Sequence, residues 1–310
     1  MSIQPLFYFP STSISVDDHQ ESLTAICRIF QKTHTINTFK EPKKALAFLK
    51  DYRAPLSSLP FLRALTDENI DLPEYCPVDF NVLNISQLID YTERQKEISV
   101  LIIDLNMPEI NGLDICRAIK GSAMKKILLT GESDYLQAIA AFNENIIDHF
   151  IQKDSKTISD DLIQSVNNLT HQYFFERTKA LQDHLETREP LPLSDKKFIL
   201  FFQNWRKENN ITEYYLIDKT GSFLCIDATG KKLYFVIHTN KTLNTFVELY
   251  EEETEDDIPL LMESIRCREK IPFFGIGQSA WQKDTKTWKN YFYPAEILEG
   301  RETYYWAAIK

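Results

Sequence analysis

The sequence feature that most constrains the fold is a run of aliphatic residues that ends in an aspartate, Leu101-Ile-Ile-Asp104. A turn with Pro108 and Gly112 follows, and residues 113–120 then have the spacing of a helix. This order predicts a buried strand with Asp104 at its carboxyl end, followed by a loop and a helix. In open α/β sheets, binding sites lie beyond the carboxyl ends of the strands. An aspartate there can also be a cap or a turn residue, so the rest of the chain must decide its role.

Strands and helices alternate along the first half of the chain, which predicts an α/β fold with a doubly wound, five-stranded parallel sheet. The strand-like runs are residues 12–18, 35–39, 99–104, 126–130 and 147–151. Residues from about 51 to 97 form a longer segment than the loops of such a sheet usually contain, and we interpret them as an insertion.

Five polar residues fall at the predicted strand ends, and right-handed crossovers would bring all those ends to one edge of the sheet. They are Asp17, Asp18, Asp104, Thr130 and Lys153. An aspartate that accepts a phosphoryl group needs a divalent cation and a fixed positive charge nearby. Carboxylates are the ligands that Mg²⁺ prefers, and a lysine supplies the positive charge. Each residue alone could be a helix cap, a strand end or a surface lysine, so the hypothesis depends on their convergence.

Apart from the insertion, residues 12–155 resemble the receiver domain of two-component response regulators. The matching motifs are Asp17-Asp18, Asp104 within Asp-Leu-Asn-Met-Pro, Thr130-Gly131, and Lys153 three residues after Phe150. The family commonly has alanine where this chain has Gly131, and the insertion is a second departure. We therefore expect residues 1–155 to form a receiver domain of the flavodoxin-like type.

The resemblance implies that a sensor histidine kinase phosphorylates Asp104, with Mg²⁺ as the cofactor. The implied metal ligands are Asp17, Asp18, Asp104 and Asn106. Thr130 and Lys153 would contact the phosphoryl group, and Phe150 would rotate when Thr130 moves. Such a domain is a stoichiometric phosphoryl acceptor with slow self-dephosphorylation, and it is not a metabolic enzyme.

Composition narrows the class of protein. The chain has 310 residues, enough for two domains. Its formal net charge is −10, which argues against diffuse, charge-driven binding to nucleic acids or anionic membranes. It contains no apolar run of about 20 residues, and its first residues lack the basic-then-apolar pattern that predicts a secretion signal. The five cysteines include no CxxC pair, which favours reduced thiols in the cytoplasm.

Residues from about 156 to 190 have a helical pattern that ends before Pro190 and Pro192. Its apolar positions include Leu162, Val166, Leu169 and Tyr173. The helix could be the last helix of the receiver, packed on its own sheet, or a linker rod that forms a homodimer. Its length favours the dimer helix, since about 35 residues would span about 50 Å.

The pattern of residues 191–310 predicts a smaller α+β output domain with an antiparallel sheet. Three strand-like runs joined by glycine turns follow an amphipathic helix, and the end of the chain is rich in aromatic residues. The layout of the whole chain resembles response regulators of the quorum-sensing type. This resemblance implies that the output domain regulates gene expression, with nucleic acid as a candidate partner.

One stretch of the output domain alternates basic and aromatic residues, a pattern that can form a stacking surface for nucleic acid. Its candidate contact residues are Trp281, Lys283, Lys286 and Lys289. The alternative is that the aromatic rings fill the core of a small domain while the lysines reach into solvent. A protein-binding output and an enzyme in the C-terminal half also remain open, although the sequence contains no Gly-rich phosphate loop, metal-spaced His/Cys cluster or helix-turn-helix pattern.

Overall fold

A computed structural model describes residues 4–31, 34–58, 82–186, 192–255 and 257–310. These residues fall into two compact units. We call residues 10–58 and 92–180 the parallel-sheet unit, and residues 4–9, 82–91 and 181–310 the antiparallel-sheet unit. In this part of the chain, every helix is too short or too polar to cross a lipid bilayer.

The strands, in chain order, are β1 (Phe7–Tyr8), β2 (Thr12–Val16), β3 (Thr35–Phe39), β4 (Ile98–Asp104), β5 (Lys125–Thr130), β6 (His149–Gln152), β7 (Ile211–Leu216), β8 (Phe223–Asp227), β9 (Lys232–Thr239), β10 (Lys270–Pro272), β11 (Phe292–Pro294), β12 (Glu296–Glu299) and β13 (Thr303–Ile309). The α-helices are α1 (Gln20–Phe30), α2 (Pro42–Asp51), α3 (Leu83–Ser86), α4 (Gly112–Ala118), α5 (Tyr135–Asn143), α6 (Ile158–Glu186), α7 (Lys196–Glu208), α8 (Asn240–Tyr250) and α9 (Ile258–Arg266).

The parallel-sheet unit contains the predicted five-stranded parallel sheet, in the order β3-β2-β4-β5-β6. Strand β4 is central, and all seven of its residues are buried. Apolar residues lie on both faces of the sheet. One layer packs with α2, α4 and α5, and the other packs with α1 and the first half of α6. The prediction of a doubly wound, flavodoxin-like receiver sheet is therefore confirmed, because a strand buried on both faces needs helices on both sides.

Helix α6 requires a correction to the predicted dimer helix. Leu162, Val166 and Leu169 are buried against the aliphatic side chains of their own sheet. Tyr173 is also buried, and its hydroxyl bonds to Glu97 of the same unit. These four side chains cannot form an exposed seam, so they are residues of the receiver core rather than of a dimer interface. The described part of α6 reaches Glu186, and the predicted continuation to residue 190 lies outside the described residues.

The antiparallel-sheet unit contains a six-stranded sheet in the order β1-β7-β8-β9-β13-β12 and a separate β10-β11 pair. Strands β7, β8 and β9 are the three predicted from the glycine turns. Asp195 is the N-cap of helix α7, and its carboxylate accepts a hydrogen bond from the backbone N–H of Lys197. Helix α8 begins with a reciprocal capping box between Thr239 and Thr242.

The antiparallel-sheet unit does not consist only of the C-terminal residues 191–310. Strand β1 pairs with β7, so the beginning of the chain belongs to this sheet. Part of the segment interpreted as an insertion, residues 82–91, also belongs to this unit, and its helix α3 contacts β7. The remainder of that segment between residues 59 and 81 lies outside the described residues.

Candidate metal and phosphoryl-acceptor site

Asp104 ends β4, and the loop that follows holds it in place. The backbone N–H of Gly112 donates to the carbonyl of Leu105, which brings the start of α4 onto the end of the strand. A Cβ atom at Gly112 would lie 2.1 Å from the Asp104 carbonyl oxygen, so only glycine fits here. Asn111 caps α4, because its side chain accepts from the backbone N–H groups of Leu113 and Asp114.

Three acidic side chains and one ammonium group lie together at the carboxyl edge of the sheet. The Nζ atom of Lys153 is 2.9 Å from a carboxylate oxygen of Asp17 and 2.9 Å from one of Asp104. Asp17 and Asp104 are buried, whereas the side chain of Asp18 is 23% exposed. The structure thus brings together residues from three parts of the sequence, and the most distant pair, Asp17 and Lys153, is 136 positions apart.

Burial raises the pKa of Asp104, and the charge of Asp17 adds to that effect, while Lys153 acts in the opposite direction. Burial lowers the pKa of Lys153, but its bonds to Asp104 and Asp17 more than compensate, so its pKa is raised overall. The raised pKa of Lys153 favours a protonated ammonium group that is held between Asp17 and Asp104. A fixed positive charge of this kind can stabilise the oxygens of a phosphoryl group.

The same cluster meets the requirements of a divalent-cation site. One ligand atom from each of Asp17, Asp18, His19 and Asp104 lies within 4.8 Å of the others. The Oδ1 atom of Asp18 is buried and has no hydrogen-bond partner among the described residues, although the Nδ1 atom of His19 is 3.1 Å away. A buried carboxylate oxygen without a partner is costly, and a cation would satisfy it. The three carboxylates among these residues supply the hard oxygen atoms that Mg²⁺ prefers.

Asn106, Thr130 and Gly131 lie around Asp104. The backbone N–H of Asn106 bonds to the Asp104 carboxylate, and its side chain donates to Asp134 at 2.5 Å. The buried hydroxyl of Thr130 donates to the carbonyl oxygen of Gly131 at 3.0 Å. Thr130 would therefore have to rotate away from this carbonyl to donate to a phosphoryl oxygen.

Phe150 is half-buried on β6 and contacts two rings of α5. Its ring lies edge-on to those of Tyr135 and Phe142, with centroid distances of 5.4 Å and 6.3 Å. It also lines a cavity of about 440 Å³, together with Gln164 and Asn168 of α6. The ring therefore has both a packed position and adjacent open space.

The residues proposed from the sequence for nucleic-acid contact have mixed surroundings. Trp281 is 74% exposed, whereas Trp288 is buried in the core of the antiparallel-sheet unit. Lys286 and Lys289 are exposed, and the Nζ atom of Lys283 lies 5.3 Å from the centroid of the Tyr291 ring. The stretch thus contains one exposed aromatic ring and one core ring.

Sequence reasoning missed His19, which lies 3.4 Å from Asp17 and 3.1 Å from Asp18. Its position directly after the two acids was the available signal. It also missed Asp134, which accepts from Asn106, because a polar residue before a helix is usually only a cap.

Comparisons with known proteins agree with this geometry. Residues 60–167 match the family model of the response regulator receiver domain, a range that contains Asp104, Thr130 and Lys153. The match does not extend to Asp17 and Asp18, which precede the insertion. No curated protein matched the chain.

The structure of the Legionella pneumophila response regulator LqsR is similar to the whole chain, with 30% sequence identity and a TM-score of 0.75. The similarity covers 100% of this chain and 89% of LqsR. The chain belongs to the response-regulator family. The resemblance that the motifs predicted is therefore confirmed, and the LqsR-like architecture includes the second unit.

Other solved structures match the chain over a smaller share of its length. A response regulator receiver domain protein from Clostridium thermocellum is 22% identical to this chain, with a TM-score of 0.34. The match covers 55% of this chain and 98% of that protein. The adenylate cyclase from Rhodopirellula baltica is 18% identical and covers 55% and 94%, with a TM-score of 0.39.

Proposed function

We propose that this response regulator accepts a phosphoryl group on Asp104 from a sensor histidine kinase. The observation that carries the proposal is the position of the Lys153 ammonium, 2.9 Å from both Asp104 and Asp17, two members of the acidic cluster that also contains Asp18. Acids that surround a lysine in this way can hold a cation and a phosphoryl group at the same time.

In the proposed reaction, a carboxylate oxygen of Asp104 attacks the phosphorus atom of a phosphohistidine. A new O–P bond forms, and the N–P bond to the donor breaks, with the electron pair remaining on the histidine nitrogen. Asp17, Asp18, Asp104 and the backbone of Asn106 would hold Mg²⁺, and the bound ion would supply positive charge to the phosphoryl oxygens. Lys153 would move its ammonium from Asp104 to one of those oxygens. Slow hydrolysis of the acyl phosphate would then end the signal.

The response to phosphorylation would begin at Thr130. A phosphoryl group adds strong acceptor oxygens, and the Thr130 hydroxyl can leave the Gly131 carbonyl to donate to one of them. Phe150 would change its packing against Tyr135 and Phe142 as a result. The altered surface around β6 is the switch in this proposal.

The direct test is phosphorylation of the purified full chain by acetyl phosphate with and without Mg²⁺. Intact-mass measurement should detect one added phosphoryl group, and only when Mg²⁺ is present. Asp104→Asn should remove the added mass. Asp114→Asn is the matched control, because it makes the same change on the exposed surface of α4. Unchanged labelling of Asp104→Asn, or equal loss in both variants, would contradict the proposal.

For the output, we propose regulation of gene expression, as the quorum-sensing resemblance implies, with nucleic acid as the candidate partner. The supporting observation is Trp281, which is 74% exposed and lies in the same stretch of sequence as Lys283, Lys286 and Lys289. An exposed aromatic ring among cations is suited to base stacking and phosphate contact. The alternative partner is a protein.

A mobility-shift titration with single-stranded DNA of random sequence separates the two outputs. Binding should weaken as salt increases, and Trp281→Ala should reduce it more than Leu249→Ala does. Leu249 is the control because it is similarly exposed, at 69%, on α8. Absence of any shift at low salt would exclude this nucleic-acid surface and favour a protein partner.

A further inference from the structure

His19 gives the acidic cluster of the parallel-sheet unit a ligand that a magnesium site does not need. Its imidazole supplies one nitrogen to the four ligand atoms that lie within 4.8 Å of one another, and the other three atoms are carboxylate oxygens. Mg²⁺ is a hard cation that prefers oxygen ligands, whereas imidazole nitrogen suits first-row transition ions. The histidine therefore changes the kind of cation that this cluster can select.

The backbone fixes His19 beside the two neighbouring acids. Its own N–H donates to the Oδ1 atom of Asp17 at 2.8 Å, and its carbonyl oxygen accepts from the N–H of Leu23 in α1. His19 is the N-cap residue of α1, but its side chain makes no capping hydrogen bond to the helix. The side chain is 65% exposed, so it is not a core residue either. Neither helix capping nor core packing accounts for the position of the ring.

The ring and the carboxylates are spaced like ligands of one ion. The Nδ1 atom of His19 is 3.1 Å from the Oδ1 atom of Asp18 and 3.4 Å from the Oδ1 atom of Asp17. Two ligands that lie about 2.1 Å from an ion are about 3.0 Å apart in octahedral geometry and about 3.4 Å apart in tetrahedral geometry. The observed separations match these values, so the ring can share an ion with the acids after little movement.

The oxygen closest to the ring is also the one that lacks a partner. Both oxygens of Asp17 are engaged, one with the backbone N–H of His19 and the other with the ammonium group of Lys153. The Oδ1 atom of Asp18 is buried and has no hydrogen-bond partner in the described part of the chain, because its approach to Nδ1 is not directed as a hydrogen bond. A nitrogen and an oxygen that approach closely without a hydrogen bond can both be satisfied by a cation.

We propose that His19 is a nitrogen ligand of this site and that it makes the site favour first-row transition ions over Mg²⁺. Nδ1 of His19 would bind such an ion together with carboxylate oxygens of Asp18 and Asp104. Ni²⁺ binds N and O sites more tightly than Mn²⁺ does in general, so the claim concerns the part of the preference that depends on His19. The inference rests on the cation site of the function proposed above, although ion binding can be measured without phosphorylation.

Calorimetric titration of the untagged full-length protein measures the affinities for Ni²⁺ and Mg²⁺ separately. In His19→Asn, the Ni²⁺ affinity should fall by about tenfold or more, since even the outer partners of a metal ligand contribute about 10- to 100-fold. The Mg²⁺ affinity should change by less than about threefold, because the carboxylates remain. The exposed position of His19 makes this substitution compatible with the fold.

His149→Asn is the matched control, because it makes the same change at another exposed histidine of this unit, at the start of β6. It should leave both affinities unchanged. An equal loss of Ni²⁺ and Mg²⁺ affinity in His19→Asn would show that the ring only supports Asp18, and this result would overturn the proposal. An unchanged Ni²⁺ affinity in His19→Asn, or a loss of the same size in His149→Asn, would overturn it as well.

Electron spin-echo spectroscopy of the Mn²⁺-loaded protein provides a second readout. An imidazole bound directly to the ion should produce nitrogen modulation in the wild type and in His149→Asn. The modulation should be lost in His19→Asn. Modulation that persists in His19→Asn, or that the wild type lacks, would contradict a nitrogen ligand at this position.

Labelling with Mg²⁺ and acetyl phosphate distinguishes a failure of this inference from a failure of the proposed function. A wild type that gains a phosphoryl group, but whose Ni²⁺ affinity does not depend on His19, would contradict the inference alone. A wild type whose Ni²⁺ affinity depends on His19, but which gains no phosphoryl group, would contradict the proposed function alone.

Discussion

The clearest quantitative prediction concerns Gly112, which packs directly against the backbone of the candidate acceptor. A Cβ atom there would lie 2.1 Å from the Asp104 carbonyl oxygen, and real Cβ contacts are essentially never closer than 3.0 Å. In Gly112→Ala, the start of α4 and the end of β4 must therefore separate by about 0.9 Å or more. The displacement moves Asp104 relative to Lys153 and Asp18.

We expect two effects of Gly112→Ala. Overpacking should lower the free energy of unfolding by about 1 to 3 kcal/mol, offset by less than about 1 kcal/mol because alanine favours the helix. The rate of phosphorylation by acetyl phosphate should fall by about tenfold to hundredfold, since reacting groups tolerate little displacement. Urea unfolding measures the first effect, and the initial rate of labelling by intact mass measures the second.

Gly121→Ala is the matched control, because a Cβ atom at Gly121 has no neighbour within 4 Å. It should label at the wild-type rate. If Gly112→Ala has wild-type stability and labels as fast as Gly121→Ala, then the contact between Gly112 and Asp104 does not position the acceptor.

Three further predictions follow from burial and packing. Leu162→Ala should lower the free energy of unfolding by about 2 to 5 kcal/mol, because this side chain is 1% exposed in the core of its own unit. The oligomeric state in analytical ultracentrifugation should not change. A changed association state would indicate that Leu162 is a dimer contact. Gly131→Ala should leave the free energy of unfolding in urea unchanged or raise it by up to about 1 kcal/mol, since the φ of −79° suits alanine and the nearest contact of the new methyl group is 3.8 Å. A decrease of more than about 1 kcal/mol would contradict the open space around this position. Burial raises the pKa of Glu97 above 4.5, so the folded protein retains this proton at pH values where the unfolded chain has released it. The free energy of unfolding of the wild type, relative to that of Glu97→Gln, should therefore decrease as the pH rises above about 4.5. A difference that is constant with pH in urea titrations would contradict this.

The parallel sheet could be predicted from the sequence because each of its strands is a local signal. The buried strand before Asp104 and the alternation with amphipathic helices carry their own periodicity, and the chain order alone brings the strand ends together. The convergence of Asp17, Asp104 and Lys153 followed from that topology. Their distances did not, because they depend on the loop geometry around Gly112.

The role of α6 could not be predicted, because an apolar helical face has the same pattern whether it packs on its own sheet or on a second copy. Leu162 and Val166 match both cases, and the sequence contains nothing that identifies the surface opposite them. The length of the helix favoured a dimer rod, whereas the structure shows that its first half is needed to cover the sheet.

The chain segments that build the antiparallel-sheet unit also could not be predicted from the sequence. Strand β1 has two residues, which is too short for a periodic signal, and its partner β7 is about 200 positions away. Helix α3 has one turn and lies in a segment that looked like an insertion into the first domain. Glu97 precedes a strand, where a glutamate is usually exposed, so nothing in the sequence marked it as buried.

The central claim is that Asp104 is the residue that receives the phosphoryl group, and locating the modification tests it most directly. The full chain is phosphorylated with Mg²⁺ and acetyl phosphate, the acyl phosphate is reduced with borohydride to homoserine, and the modified peptide is sequenced by mass spectrometry. We expect homoserine at position 104 alone. Homoserine at another aspartate, or none in a protein that has gained a phosphoryl group, would contradict the account.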